Sequence, residues 1–223
     1  SPQGDAALRA ILAGGGPLAQ SNRRSDHLTT VMLTGVTALV RGTASLMEGL
    51  VKAMPSDFRP SIGLAYLCGL LSNYGYLVLA HIFPPYFSVI NRCIEANPHI
   101  EGFYVEQHLL GVTRETISSQ LMDCWSMPDE IVVGLRWQHH PGFNGNMAVY
   151  ARLLHLANQL LRSVELVPGP RHALDDTLFD ELHLSREDVA SVLNHMVAQK
   201  DELIKIARGL GGNGHTNGNG KSN

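Results

Sequence analysis

The chain has 223 residues, 44% of them hydrophobic and 17% charged, with 17 Lys and Arg against 20 Asp and Glu for a formal net charge of −3. This composition is apolar enough to bury a core and excludes a disordered chain. A slightly acidic balance, with a pI near 6.4, argues against a protein that binds bulk nucleic acid by neutralising phosphates. No apolar run is read as approaching the ~18 residues of a membrane span, so none is expected. Cys68, Cys93 and Cys124 are odd in number, lie in apolar stretches without C-x-x-C spacing, and read as small buried hydrophobes of a reducing compartment. Residues 1–16 show no basic segment followed by an apolar one, so no secretory signal is expected in this sequence, and the cytoplasm is the expected location.

In chain order, residues 5–12 have the pattern of a short helix that stops at Gly14-Gly15-Gly16-Pro17, where permissive glycines and a fixed proline φ end the periodicity. Residues 13–26 read as a linker. A long helix is predicted over 28–54, with Val36, Leu39, Val40, Leu46, Met47 and Leu50 as its apolar stripe. Gly35, Gly42 and Gly49 each cost about 1 kcal/mol there, which close helix packing would offset. Residues 61–83 are apolar almost all round and predict one central buried helix, with Leu70 and Leu71 more deeply buried than Ser72 and Asn73. Further helices are predicted over 86–96, 100–110, 113–125, 128–140, 147–164, 176–181 and 186–210. Pro84-Pro85 restarts the chain, Gly111 is a C-terminal stop, Pro128-Asp129-Glu130 is a start, and Ser185 with Asp188 forms a capping box. The Gly/Asn-rich tail over 211–223 lacks apolar residues and is expected to be mobile. Helical periodicity dominates, and the fold class is all-α, a multi-helix bundle.

The segment LAYLCGLLSNYGYLVLAHIFP at 64–84 resembles the central helix of the HDOD (HD-related output) domain, a relative of the HD and HD-GYP phosphohydrolases. Glu106 and Gly111 in YVEQHLLG, the Leu121-x-x-x-Trp125-x-x-Pro128 block, His139-His140-Pro141, and LLHLANQLL at 153–161 follow in the family's order. The best match runs over 60–162, while the first 58 residues carry few of its marks. The resemblance implies an N-terminal segment and linker over 1–27, an HD-like bundle over 28–210 and a tail over 211–223. In the parent enzymes, imidazoles and carboxylates on facing helices hold a divalent metal that polarises phosphate and activates water. Transferred by motif position, the His-Asp dyad reads Ser72-Asn73, the late aspartate reads Asn158, and the further histidine of HD-GYP proteins reads Arg114, a permanent cation. His27 lies too far upstream to take the first ligand's place.

The resemblance therefore implies a protein that is not an enzyme and has no cofactor, with Ser72, Asn73, Glu106, Arg114, His139, His140 and Asn158 around a vestigial, ligand-binding pocket. Read from the residues alone, His139 and His140 are either remnants of a metal site or a helix-end pair that complements the C-terminal dipole. The two point about 100° apart and cannot chelate one ion without other partners. Glu106 and His108 read as a solvated face, Trp125 and Trp137 as core, and Arg114, Arg136 and Arg152 as surface charge or a converging phosphate grip. Two functions compete: a signalling domain acting by protein–protein interaction, and a nucleotide or cyclic di-GMP receptor that kept the pocket. The resemblance further implies bacterial control of motility, biofilm or stress output. Its implied partners are other signalling proteins and a cyclic dinucleotide, with a homodimer also open.

Overall fold

The structure, a computed structural model, describes residues 40–167 and 169–211, with side chains described as far as residue 198. The short helix over 5–12, the linker over 13–26, His27, the stretch 28–39 with Gly35, and the tail beyond 211 lie outside the described residues.

Every regular element among the described residues is helical. Helix α1 covers 40–53, and a single 3₁₀ turn, Ser56–Phe58, follows. Then come α2 (Ile62–Leu71), α3 (Tyr74–Ile82), α4 (Pro84–Ala96), α5 (Gly102–Leu110), α6 (Arg114–Cys124), α7 (Asp129–Trp137), α8 (Ala148–Ser163), α9 (Asp176–Leu182) and α10 (Arg186–Gly211). The all-α bundle expected from periodicity is what forms. Local chemistry explains the boundaries. The Ser61 hydroxyl accepts from the Leu64 amide at the start of α2, the Thr113 hydroxyl from the Thr116 amide at the start of α6, and the Ser185 hydroxyl from the Asp188 amide at the start of α10. Gly111, with φ 71°, ends α5 in the left-handed region that favours glycine.

The expected single helix over 61–83 is two helices. Ser72 donates its hydroxyl to the Gly69 carbonyl (2.8 Å), offering the backbone a local alternative to the ladder. Asn73 then adopts φ −102°, ψ 10°, outside the helical region. The Gly75 amide is taken up by the Ser118 hydroxyl of α6 at 2.7 Å. The break turns the burial pattern around: Ser72 is buried, whereas Leu70 and Leu71 are half-buried. As a composition, Ile62–Ile82 is long and apolar enough to cross a membrane, contrary to the sequence expectation. Core helices pass the same test when mostly buried; a third of this apolar window is buried, and the stretch packs on its neighbours, α2 against α7 and α8 and α3 against α6.

The centre of the bundle is α8. Its Ala151, Leu153, Leu154, Leu156, Ala157, Leu160 and Leu161 are all buried, joined by Ile117, Met122, Ile131 and Leu135 from α6 and α7. Leu46, Met47 and Leu50 of the predicted α1 stripe are fully buried. Gly49 serves the expected close packing, since a Cβ there would lie 2.6 Å from Val192; Gly42 meets only ordinary contacts. Trp125 is a correction: it is 55% exposed, because it falls one residue past α6, where its ring makes an edge contact with Tyr74. Trp137 is half-buried and stacks on Phe143 at 4.7 Å. Of the cysteines, Cys68 is buried, with its thiol pushed up to about 12 by burial and by Glu130. Cys93 is intermediate, and Cys124 is exposed rather than buried.

Helix α2 carries its own control for close packing. A Cβ at Gly69 would sit 2.6 Å from the Ala44 Cα of α1, a backbone atom that cannot swing aside, while a Cβ at Gly63 meets nothing within 4 Å. Gly69→Ala should lower stability by about 1–3 kcal/mol through overpacking. Gly63→Ala should raise it by up to about 1 kcal/mol through helix propensity. Urea midpoints check both, and equal midpoints would remove the α1–α2 contact as described.

Candidate functional site

The break between α2 and α3 opens onto a cavity of about 90 Å³. Ser72, Asn73 and Tyr76 line it from the broken stretch, Gly102 from α5, Arg114 and Glu115 from α6, Gln138 and His139 from the end of α7, and Asn158 and Arg162 from α8, with Ile94 and Val167 closing it. Five of the seven sequence-derived pocket residues thus meet at one place: Ser72, Asn73, Arg114, His139 and Asn158. The first two bond each other, Asn73 Nδ2 donating to Ser72 Oγ at 3.1 Å. Asn158 Nδ2 donates to Gln138 Oε1 at 3.0 Å.

Two expectations fail. His140 is exposed and does not line the cavity, because α7 ends at Trp137 and the next turn carries the ring outward. Glu106 is not on a solvated face: it is 1% exposed and lies behind the cavity wall, where it binds Arg114. Its neighbour His108 is exposed as expected.

Arg114 organises the wall. Its backbone amide donates to Glu106 Oε2 (2.9 Å), its Nη1 lies 3.3 Å from Glu106 Oε1, and its Nε donates to Glu115 Oε1 (2.9 Å). The guanidinium carbon sits 4.2 Å over the Tyr76 ring, the geometry in which a ring quadrupole attracts a cation. His139 Nε2 reaches the same Glu115 oxygen at 3.0 Å, and its ring stacks on Phe103. Burial drives the Glu106 carboxyl up to about 7 despite the pull of Arg114, and the neighbouring Glu115 charge adds to the rise. Burial acts on Glu115 in the same sense, but there the guanidinium and His139 win and hold it far below the ordinary carboxylate range.

The expected surface trio does not converge. Arg136 is exposed and Arg152 sits beside Asn144 and Glu181, while Arg114 is largely buried. The second cavity guanidinium is Arg162, which grips both oxygens of Glu101 at 2.6 and 2.7 Å; His172 adds a 3.1 Å contact to the same carboxylate. Burial alone would raise the Glu101 pKa, but the Arg162 bonds lower it. Sequence reasoning missed Arg162, Glu115, Tyr76 and Gln138. Arg162 stands four residues after Asn158 in a helix, so same-face spacing could have found it; Glu101 and Gln138, from other elements, left no such signal.

A divalent metal does not fit these side chains. Among the described residues, no group of three or more His, Cys, Asp or Glu is placed to hold one. The cavity wall presents a hydroxyl, carboxamides and two guanidiniums, and its two groups able to ligate a metal, Glu115 and His139, are bonded to each other and to Arg114.

With this geometry in hand, the family profile of the HDOD domain matches residues 12–141, more than half of the chain. The chain belongs to the HDOD family. A crystal structure from Marinobacter aquaeolei VT8, provisionally named a signal transduction protein, is 42% identical with a TM-score of 0.72 over 76% of this chain and 38% of that one. A Shewanella amazonensis SB2B protein provisionally named a phosphohydrolase is 18% identical, with a TM-score of 0.55 over 72% of this chain and 58% of that one. The MmoQ response regulator from Methylococcus capsulatus is 19% identical, with a TM-score of 0.52 over 72% of this chain and 61% of that one. The last two show the fold alone. This HDOD chain thus spans less than two thirds of each of these solved proteins, and no curated protein matches it.

The Arg162–Glu101 pair yields a double-mutant test. Both side chains are largely buried, at 6% and 15% exposure. Glu101→Gln, which strands the guanidinium, should cost about 3 kcal/mol, and adding Arg162→Met should recover most of that loss, because the double variant leaves no buried charge without a partner. Chemical denaturation of the double variant and both single variants decides it; additive losses would mean the pair is not coupled.

Proposed function

We propose that this chain is a non-catalytic signalling domain that acts through contacts with other proteins. The observation that carries the reading is the Arg114 guanidinium, fixed between Glu106 and Glu115 in the wall of the cavity. A permanent cation repels a divalent metal. Ser72, Asn73 and Asn158, at the motif positions of the parent enzymes' dyad and late aspartate, offer a hydroxyl and two neutral amides in the same wall. Those three positions supply no metal ligand set through which a bound ion would lower the pKa of a water. The signalling part is supported by family membership and by the designation of the Marinobacter protein. The interaction part is supported by exposed apolar side chains: Tyr86 and Val89, on neighbouring turns of α4, are 57% and 42% exposed, and Ile82 at the end of α3 is 38% exposed. A cytoplasmic bacterial setting with motility, biofilm or stress output belongs to the same proposal and is supported by the family alone.

The alternative, a receptor for a nucleotide or cyclic di-GMP, draws support from Arg114 and Arg162 lining one cavity. Two facts weigh against it. The cavity's 90 Å³ is small beside the roughly 300 Å³ at which ligand pockets begin, and both guanidiniums are already paired with carboxylates.

Purified protein is expected to contain less than a tenth of an equivalent of Fe, Mn or Zn by elemental analysis, and to leave phosphomonoesters and cyclic dinucleotides unhydrolysed. One metal per chain, with turnover abolished by a chelator, would overturn the reading. A thermal-shift panel of cyclic di- and mononucleotides should leave the midpoint unmoved; a saturable rise with one of them would favour the receptor instead.

A further inference from the structure

The contacts around Arg114 give two buried carboxylates one permanent cation, with His139 adding a second positive charge only when it is protonated. Two buried carboxylates, Glu106 at 1% exposure and Glu115 at 4%, share one guanidinium. Glu115 receives Arg114 Nε and His139 Nε2 on the same oxygen, Oε1, and its Oε2 is buried without a hydrogen-bond partner. Glu106 holds the Arg114 backbone amide at 2.9 Å, but the guanidinium itself stands off at 3.3 Å. The arginine is therefore closer to one acid than to the other, with its side chain spanning both. A second buried anion with less than a full share of a cation is relieved by taking up a proton.

We infer that Glu106, Arg114 and Glu115 form a proton-operated latch whose position is passed through His139 to the exposed aromatic face of α5. With a proton on Glu106, the guanidinium stays with Glu115, as in the structure. When that proton leaves to solvent, the Glu106 carboxylate draws the guanidinium toward itself, and Glu115 keeps His139 as its main partner. The movement is read at the surface because His139 stacks on Phe103 (centroids 5.0 Å apart) and Phe103 lies 4.2 Å from the Tyr104 ring, which is 61% exposed. The groups facing the latch come from four elements: Tyr76 of α3, Arg114 and Glu115 of α6, His139 after α7, and, around His139, Glu101 with Arg162 and His155 of α8. Burial pushes Glu106 to about 7, which sets the latch in the physiological range.

The sign of the pH effect follows. Glu106 has its folded pKa above its unfolded one, so the folded state holds the extra proton between about 4.5 and 7, and stability falls as pH rises through that window. Glu101 and Glu115 are lowered, so their contributions are present throughout it and fade only in acid. His155, lowered by burial, works in the opposite direction below its ordinary value. It is common to wild type and variant, so their difference isolates Glu106.

The test is a titration of the side-chain carboxyl carbons and aromatic rings by NMR between pH 5 and 8.5. One carboxyl should titrate near neutrality and vanish from the spectrum of Glu106→Gln. The Phe103 and Tyr104 ring signals should move with the same midpoint in wild type and stay still in the variant. If Glu106→Gln does not fold, wild type with His139→Asn serves instead: the carboxyl titration should persist and the ring response should be lost. A thermal midpoint that falls between pH 5 and 7.5 by more in wild type than in Glu106→Gln is the independent readout. A Glu106 carboxyl that titrates below pH 5, or rings that ignore it, would overturn the latch. Its use as an output rests on the signalling reading above, but the titration does not, so a metal-dependent phosphohydrolase with a titrating latch and a non-catalytic domain without one are distinguishable results.

Discussion

A guanidinium held inside a small bundle is the constraint around which the rest of this fold is arranged. Burying an unpaired cation costs several kcal/mol even after relaxation, so the Arg114 side chain, only 14% exposed, has to be met on every side. Glu115 meets it from its own helix, Glu106 from α5, and the Tyr76 ring face from α3. Two glycines clear the space. A Cβ at Gly102 would stand 3.2 Å from Arg114 Nη2, and one at Gly75 would stand 2.2 Å from the Arg114 carbonyl oxygen. Neither glycine is required by its φ; what they supply is the approach of α3 and α5 to the start of α6.

That approach in turn depends on the interruption of the apolar stretch at Ser72–Asn73. An unbroken helix would keep the Gly75 amide in its own ladder, whereas the break leaves it to the Ser118 hydroxyl and turns α3 onto α6. The same two residues then face the cavity. Polar side chains inside the longest apolar run of the chain are thus structural and site-forming at once: they end one helix, aim the next, and supply a hydrogen-bonding wall.

The helices themselves were legible because their signals are local. The cap at Ser185, the glycine stop at Gly111 and the 3.6-residue stripes each depend on a few neighbouring residues, and the observed boundaries fall within three residues of those expected from 61 onward, the broken central helix aside. Much of the site was legible through motif positions, which carried Ser72, Asn73, Arg114, His139 and Asn158 to the cavity. Failures came where burial is decided by another element. Glu106 looks solvated in its own segment, and only α6 folding against it shows that it is an internal partner of Arg114. Trp125 looks like core by type, and only the end of α6 one residue earlier leaves it outside. Ser72 outranks Leu70 and Leu71 in burial because the break, not hydrophobicity, fixes which way it points.

On the proposed reading, the chemical consequence lies in exchanging a dissociable cation for one that is part of the chain. A bound metal brings charge, an activated water and an affinity that ligand protonation can remove. A guanidinium brings charge alone, remains charged throughout the physiological range, and donates in fixed directions. The charge it brings is also smaller: one permanent positive unit stands against Glu106 and Glu115 where a divalent ion would bring two, and His139 adds to it only when protonated. The balance is then left to a proton, and its natural seat is the acid that the guanidinium reaches less closely. A cavity wall built this way has exchanged the means to activate a water for a dependence on pH, and since His139, Phe103 and Tyr104 form an unbroken path of ring contacts from that wall to solvent, the dependence need not stay inside the bundle.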